Sequence, residues 1–509
     1  MKIMYIPLDE RPCNYYYPLM LAEFFQELEL VTPPKEMLGN KKLAADTERL
    51  WEWIDSGLQE QDAAVMSVEM LVYGGLLPSR LHRFSMEDCM ARVEKIRSML
   101  LACRGRTRFY LYSLIMRTPR YSSSEEEPDY YGYFGEKIFE YGVLCDKKSR
   151  GLADNEGIKK PEEKIPGEVI QDFLGRRDIN IKVTAEIVNM VKEGLVGFMS
   201  IPQDDSSPYG FTVMDQRKIF RLVEQYGLQN VIHIYPGADE TGGTLLIRAV
   251  AEFYNKRPLI WAYYSPAAGE QVIPKYEDRP LGESVTAHIR AAGALPAGSM
   301  HEADLVLMVN GCSGQMREAW EQEEEDAQYE DESGPQELVK RLKEYISLGK
   351  RCTVADAAFS NGADLRLVSM LSAEKLSSGL YGYAAWNTAC NTVGTSISVG
   401  IAGFLSNNNR ARIKNICYRF LEDWAYQSVV RQKAQREVLP ELGASYYNPA
   451  GKEKEICLAV KNGIWELWER YMKQGFQGWK LTAVNLYLPW RRMFEIGMDI
   501  EIDRVDDYE

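Results

Sequence analysis

Short apolar runs recur along the chain, each closed by polar, glycine- or proline-rich residues: 2–8 (KIMYIPL), 63–69 (AAVMSVE), 108–115 (RFYLYSLI), 195–202 (LVGFMSIP), 230–235 (NVIHIY), 258–264 (PLIWAYY), 304–310 (DLVLMVN) and 352–359 (CTVADAAF). Runs that are apolar at successive positions, rather than at every second one, mark strands covered on both faces of a parallel sheet. Two weaker runs, Leu28–Val31 and Leu380–Trp386, blur the strand count. Segments of helical spacing separate the runs. This alternation predicts α/β architecture over residues 1–404: a (β/α)8-like barrel with insertions or, alternatively, two tandem doubly wound α/β domains.

Beyond residue 404 the spacing changes. In "NNNRARIKNICYRFLEDWAYQSVVRQKAQREVL" the apolar residues fall three and four apart with basic residues between them, which predicts a C-terminal helical cap over 405–509. Cys457, Ile464, Trp465 and Trp468 continue an amphipathic face that could cover the barrel or pair with a second copy in a homo-oligomer. Residues 121–180 are too long for a simple connection and are expected as an insertion on the third strand's loop. Its Tyr130, Tyr131, Tyr133 and Phe134 either roof a site or pack the insertion onto the body. The acidic run at 321–335 (EQEEEDAQYEDESGP) has almost no apolar content and is expected as a solvated face.

Composition narrows the function classes. The 509 residues exceed one ordinary core, and 45% hydrophobic with 26% charged residues is the balance of a soluble globular protein. No apolar stretch has the length of a membrane span, and residues 2–8 read as a strand rather than a secretory signal, so a cytoplasmic location and no membrane partner are expected. Nine scattered cysteines without a CxxC pair suit reduced thiols. The net charge of −14 opposes binding to nucleic-acid backbones, which depends on Lys and Arg neutralising phosphates. The four histidines (His82, His233, His288, His301) show no zinc spacing, so neither a metal site nor a cofactor is expected.

Ligands of parallel α/β folds bind at the carboxyl ends of the strands, so the residues just after each run are the candidates. Those positions hold Asp9, Glu10 and Arg11, then Glu69, Tyr73 and Arg80, then Arg117 and Arg120. Later strands add Gln203, Asp204 and Asp205, then Asp239 and Glu240, then Asn310, Asp356, Asn361 and Asp364, and finally Trp386, Asn387 and Asn391. In "IPLDERPCN" two prolines stiffen a loop offering two carboxylate acceptors and one forked donor, either for a hydroxylated or carboxylated ligand or for an internal ion pair.

Adjacent carboxylates repel, so in "IPQDDSSPYG" one of Asp204 and Asp205 can retain its proton near neutral pH and act as a general acid. The pair resembles the acidic pair at the fourth barrel strand of β-hexosaminidases. By that resemblance Asp204 would orient an acetamido group and Asp205 would protonate the leaving oxygen; an Asx turn leading into the next helix is the structural alternative. Asp239 and Glu240 form a second candidate pair; alternatively Asp239 or Thr241 simply caps the helix that follows. Trp386 could stack on a sugar ring with Asn387 and Asn391 bonding its hydroxyls, or the segment merely starts a buried helix of small residues.

The segments "PLDERPCN", "QDDSSPYG", "YPGADE", "SNGAD" and "WNTACNTVGT" together resemble DUF4127, a bacterial family defined as a domain of unknown function; the resemblance spans nearly the whole length and implies no activity. The residues themselves lead to a glycoside hydrolase acting on a small glycoside or oligosaccharide, such as an N-acetylhexosaminide, with Asp204, Asp205, Asp239 and Glu240 catalytic and the other carboxylates, amides, Arg11, Arg117, Tyr73 and Trp386 binding substrate. The alternatives are a Mg- or Mn-dependent lyase, isomerase or phosphoryl-transfer enzyme with Asp9, Asp204, Asp239 and Asp356 as oxygen ligands, and a non-catalytic sugar-binding protein.

Overall fold

In the computed structural model, which describes residues 1–153, 163–323 and 334–505, every expected apolar run contributes a strand. In the first part of the chain these are β1 (Lys2–Ile6), β2 (Glu29–Val31), β3 (Ala63–Ser67), β4 (Arg108–Tyr112), β5 (Phe198–Gln203) and β6 (Ile232–Pro236). They form one parallel sheet in the order β2-β1-β3-β4-β5-β6. Their residues are almost all buried because helices connect successive strands, which is why the runs show no alternation.

The second sheet has the same wiring. It contains β7 (Leu259–Ser265), β8 (Leu295–Pro296) and β9 (Leu305–Asn310). After the two-residue β10 (Arg317–Glu318) come β11 (Arg351–Asp356), β12 (Phe359–Ser360), which pairs with β10, and β13 (Gly382–Ala384). The order β8-β7-β9-β11-β13 again sets the second strand outside the first and adds the rest on the other side. Each sheet is open, with β2 and β6 or β8 and β13 at its edges, so the expected closed barrel is not what these strands build. Alternation of strand and helix is common to both architectures. Which strand pairs with which is set by long-range packing that periodicity does not encode.

The chain divides into two units: the first comprises 1–10, 27–249 and 276–278, the second 11–26, 250–275 and 279–509. The boundary expected near residue 404 therefore falls inside the second unit. Helices do follow residue 404, beginning at Asn409–Arg419, but the C-terminal stretch also holds an antiparallel pair, β14 (Trp479–Tyr487) and β15 (Gly497–Arg504). Its buried residues, Leu481 and Val484 on β14 and Met498, Ile500 and Ile502 on β15, come mostly from alternate positions, the mark of a half-buried hairpin rather than a helix.

The insertion expected at 121–180 contains two helices, Tyr131–Ser149 and Gly167–Lys192, packed over a core of Met116, Tyr131, Ile138, Ile165, Val169, Phe173 and Phe211. Tyr131 is buried there with its hydroxyl on the Pro119 carbonyl (2.9 Å), whereas Tyr133 is exposed. Of the acidic run at 321–335, residues 324–333 lie outside the described residues. All nine cysteines are free thiols, and no helix among the described residues is long and apolar enough to cross a membrane.

Helix 389–405 packs flush on the second sheet because its inner face is small. Gly400 leaves room for Thr353 of β11, whose Cγ2 would lie 3.0 Å from an added Cβ. A Cβ on Gly382 of β13 would meet the Gly400 amide nitrogen at 2.9 Å, so neither side can yield without moving backbone. Gly382→Val should lower stability by about 1–3 kcal/mol through overpacking. Gly175→Ala, in the middle of helix 167–192 with nothing within 4 Å of the new methyl, should raise it by roughly 0.5–1 kcal/mol. Denaturant titration of both variants checks the pair; equal effects would contradict the packing account.

Candidate functional site

The first sheet gathers charged side chains at its carboxyl edge. Helix Val68–Tyr73 follows β3 directly and ends at Gly74, whose φ of 85° allows the left-handed turn that closes the helix. A side chain there would also strike the backbone of Ala45. The chain then enters the short helix Leu76–Leu81 and presents Arg80. Beyond β4 it runs extended to Arg117 and returns through Glu126 and Glu127 of the insertion. Beyond β5 come Asp204 and Asp205.

These six residues form one ion network. Arg80 Nη2 pairs with Asp204, while its Nη1 reaches Glu126 (3.2 Å) and Glu127 (3.3 Å). Arg117 donates from Nη1 to Asp205 (2.9 Å), from Nη2 to Glu126 (2.8 Å) and from Nε to Glu127 (2.8 Å). Two guanidiniums thus face four carboxyl groups. Arg80 and Glu127 are fully enclosed, whereas the Asp205 side chain keeps 26% of its surface exposed. Desolvation pushes the Asp205 carboxyl up to about 6 against the opposing pull of Arg117, with the Asp204 charge adding to the rise. Asp205 also has a φ of 26°, a conformation costing about 1–3 kcal/mol for a residue other than glycine.

Helix 167–192 fixes both arginine-bearing segments from one face. Arg177 donates to the carbonyls of Met116 (2.8 Å) and Arg117 (3.0 Å) and is itself anchored on Asp215. Asn180 donates to the Ser79 carbonyl (2.9 Å) and Arg176 to the His82 carbonyl (3.0 Å), so the backbone on both sides of Arg80 is held. Preceding helix 76–81, Glu69 is buried and accepts from Leu114 N (2.7 Å) and from the hydroxyls of Ser113 (3.1 Å) and Ser67 (3.3 Å). Burial raises its carboxyl to about 7 despite those donors.

The other expected residues of this unit surround the network or serve the fold. Asp9 and Glu10 are buried beyond β1, and Glu10 accepts from Lys41 N (2.9 Å). Asp239 is buried beyond β6, and Glu240 accepts from Ala238 N (2.9 Å) in the turn that precedes helix 241–253. Tyr73 is enclosed and stacked on His82 with ring centroids 4.7 Å apart.

In the second unit Arg11 lies 4.6 Å over the Trp490 ring. Asp356 and Asp364 are fully buried: Asp356 accepts from Asn310 Nδ2 (2.8 Å), Asp364 N (2.9 Å) and Tyr383 Oη (3.1 Å), and Asp364 caps helix 365–373. Burial and the neighbouring Asp364 push Asp356 up to about 7. Asn361 and Asn387 both have left-handed backbones, and the Asn361 amide bonds the Asn387 carbonyl (2.8 Å). Trp386 is buried with its indole N–H on Thr395 Oγ1 (3.0 Å), and Asn391 donates to Thr388, the cap of helix 389–405. These side chains tie loops together.

Sequence reasoning did not select Glu126 and Glu127, and it noted Arg80 without placing it in the site. The acidic "SSSEEEP" tract had been absorbed into the insertion. The available signal was that buried arginines at two strand ends require carboxylate partners from elsewhere. Among the described residues, no three His, Cys, Asp or Glu side chains gather as a metal-ligand set.

The family model described as "Protein of unknown function (DUF4127)" matches residues 3–499. The chain belongs to that family. The match embraces both sheets and most of the hairpin, so the DUF4127 pattern covers both units and not the ion network alone. A comparison with curated proteins finds no match.

Two predictions test the electrostatics. Arg80→Met leaves buried carboxylates without their partner and should cost about 3–5 kcal/mol. Urea denaturation measures this, and an unchanged stability would contradict it. Glu69 is raised from its ordinary 4.5 to about 7, so the folded state binds the proton more tightly than the unfolded one. Its contribution is complete below pH 4.5 and is lost as pH rises through 7. Glu69→Gln should remove that decline, making the variant more stable than wild type at pH 8 by on the order of 3 kcal/mol.

Proposed function

We propose that this DUF4127 chain is a hydrolase of glycosidic bonds with Asp205 as its general acid, and that its two sheets are doubly wound domains, the reacting group being held at the carboxyl edge of the first. The observation that carries the reading is Asp205 itself. Its carboxyl is pushed up to about 6, remains partly open to solvent and is aimed by Arg117 at 2.9 Å. An acid of that strength keeps a useful protonated fraction near neutrality and can still release its proton to a leaving oxygen.

In the first step Asp205 gives its proton to the glycosidic oxygen as the bond from the anomeric carbon breaks. Arg117 then faces the carboxylate that remains. Asp204, ion-paired with Arg80, is the second carboxylate, available to orient a substituent of the sugar or to receive a proton from attacking water. The likeness to β-hexosaminidases now rests on the Asp204–Asp205 pair alone, because the pair follows the fifth strand of an open sheet rather than the fourth of a barrel.

A panel of 4-nitrophenyl glycosides, assayed with and without chelator, finds the sugar; the matching methyl glycoside then tests the acid, because an alkoxide leaving group needs protonation far more than nitrophenolate does. Turnover should resist chelator, fall as pH rises through about 6, and drop by roughly 100-fold or more on the methyl glycoside in Asp205→Asn. Undiminished methyl glycoside turnover in that variant would remove Asp205 as the acid. Turnover abolished by chelator and restored by magnesium or manganese would favour the metal-dependent alternative.

A further inference from the structure

The loop after Asp205 contains two serines treated differently by the fold. Ser207 Oγ donates to the Tyr209 carbonyl at 2.6 Å and thereby closes the turn. Ser206 holds its backbone in place, its amide donating to the Tyr276 carbonyl at 2.7 Å, but its buried hydroxyl has no hydrogen-bond partner. The residue is only 5% exposed. An enclosed hydroxyl without a partner costs about 1–3 kcal/mol, and native proteins accept few of them without a further use.

Its position suggests the use. Ser206 directly follows Asp205, the most exposed carboxyl of the ion network and one with left-handed backbone. Two other buried atoms of the same network also lack hydrogen-bond partners, Glu127 Oε2 and Arg80 Nε. The residue that follows the acid in sequence thus keeps an unpaired hydroxyl, while the serine one residue further on is satisfied. Rotation about χ1 is the only movement a serine needs to turn its Oγ toward a group bound at Asp205.

We propose that Ser206 is a substrate-binding residue: its hydroxyl hydrogen-bonds a sugar hydroxyl or ring-substituent oxygen next to the bond that Asp205 protonates. This rests on the glycosidase reading and adds a specificity contact to it. The ligand class is a neutral polyhydroxylated ring, since a hydroxyl offers one donor and acceptor and no charge.

The test compares Ser206→Ala, Ser206→Thr and Ser207→Ala in the full-length chain, measuring kcat/KM on the 4-nitrophenyl glycoside that wild type turns over and the Tm of each unliganded protein. Ser206→Ala should lower kcat/KM by about three- to ten-fold, the range of one neutral hydrogen bond, with Tm unchanged or raised because no bond is lost in the free protein. Ser206→Thr should retain most of the activity. Ser207→Ala should lower Tm and leave kcat/KM as it was. A lowered Tm with unchanged kcat/KM in Ser206→Ala would overturn the assignment.

If no glycoside is turned over, the same panel is used as binding probes through the shift in wild-type Tm. A shift that Ser206→Ala abolishes would keep the contact and remove the hydrolase. The absence of any shift, or one that persists in Ser206→Ala, would remove the contact as well.

Discussion

Two buried guanidiniums surrounded by four carboxyl groups are the constraint around which the first unit is arranged. An arginine cannot give up its charge, so once Arg80 and Arg117 are enclosed their partners must be provided from wherever the chain can bring them. They come from the end of β5 and from the insertion after β4, which pins three separate segments to one spot. Helix 167–192 adds a second layer behind them, gripping main-chain carbonyls with Arg176, Arg177 and Asn180. Asp205, though the most exposed of the four, still holds its proton more tightly than usual, because desolvation and the neighbouring Asp204 outweigh the pull of Arg117.

In the second unit Arg419 pairs with the buried Glu422 and Asp423, whereas Asp356 is held by another route. Around Asp356 the donors are an amide side chain, a backbone N–H and a phenol, with no guanidinium in direct contact. Hydrogen bonds from neutral groups support a carboxylate less strongly than an ion pair does, and burial therefore dominates its titration. The result is a loop fastened to the sheet. At Asp205, paired with Arg117 and partly open, a fixed charge pattern is combined with a raised carboxyl.

Much of the fold was legible in the sequence. The apolar runs located the parallel strands, even the short β2 and β13, because burial on both faces leaves a signal that needs no partner to interpret. Sheet membership was not legible: β5 and β6 share a sheet with β1, and β7 does not, through contacts between residues far apart in sequence. The hairpin of β14 and β15 was masked by the helical spacing that precedes it. At the site, strand-end logic picked out Asp204, Asp205, Arg117 and Glu69. Asp356, Trp386 and Asn391 obeyed the same logic yet are occupied with loop closure, since a strand end attracts caps and staples as readily as ligands. Glu126 and Glu127 were missed because an acidic tract in an insertion resembles a solvated one until its arginines are seen.

The division of the chain carries a consequence for how it is assembled. Residues 11–26, which connect β1 to β2 of the first sheet, belong to the second unit, and Met20 is enclosed in a core with Val306, Val354 and Trp468. Neither unit is therefore a contiguous stretch of sequence. No single cleavage can release either one whole, and on a ribosome an early-made helix must wait for hundreds of later residues before its apolar face is covered.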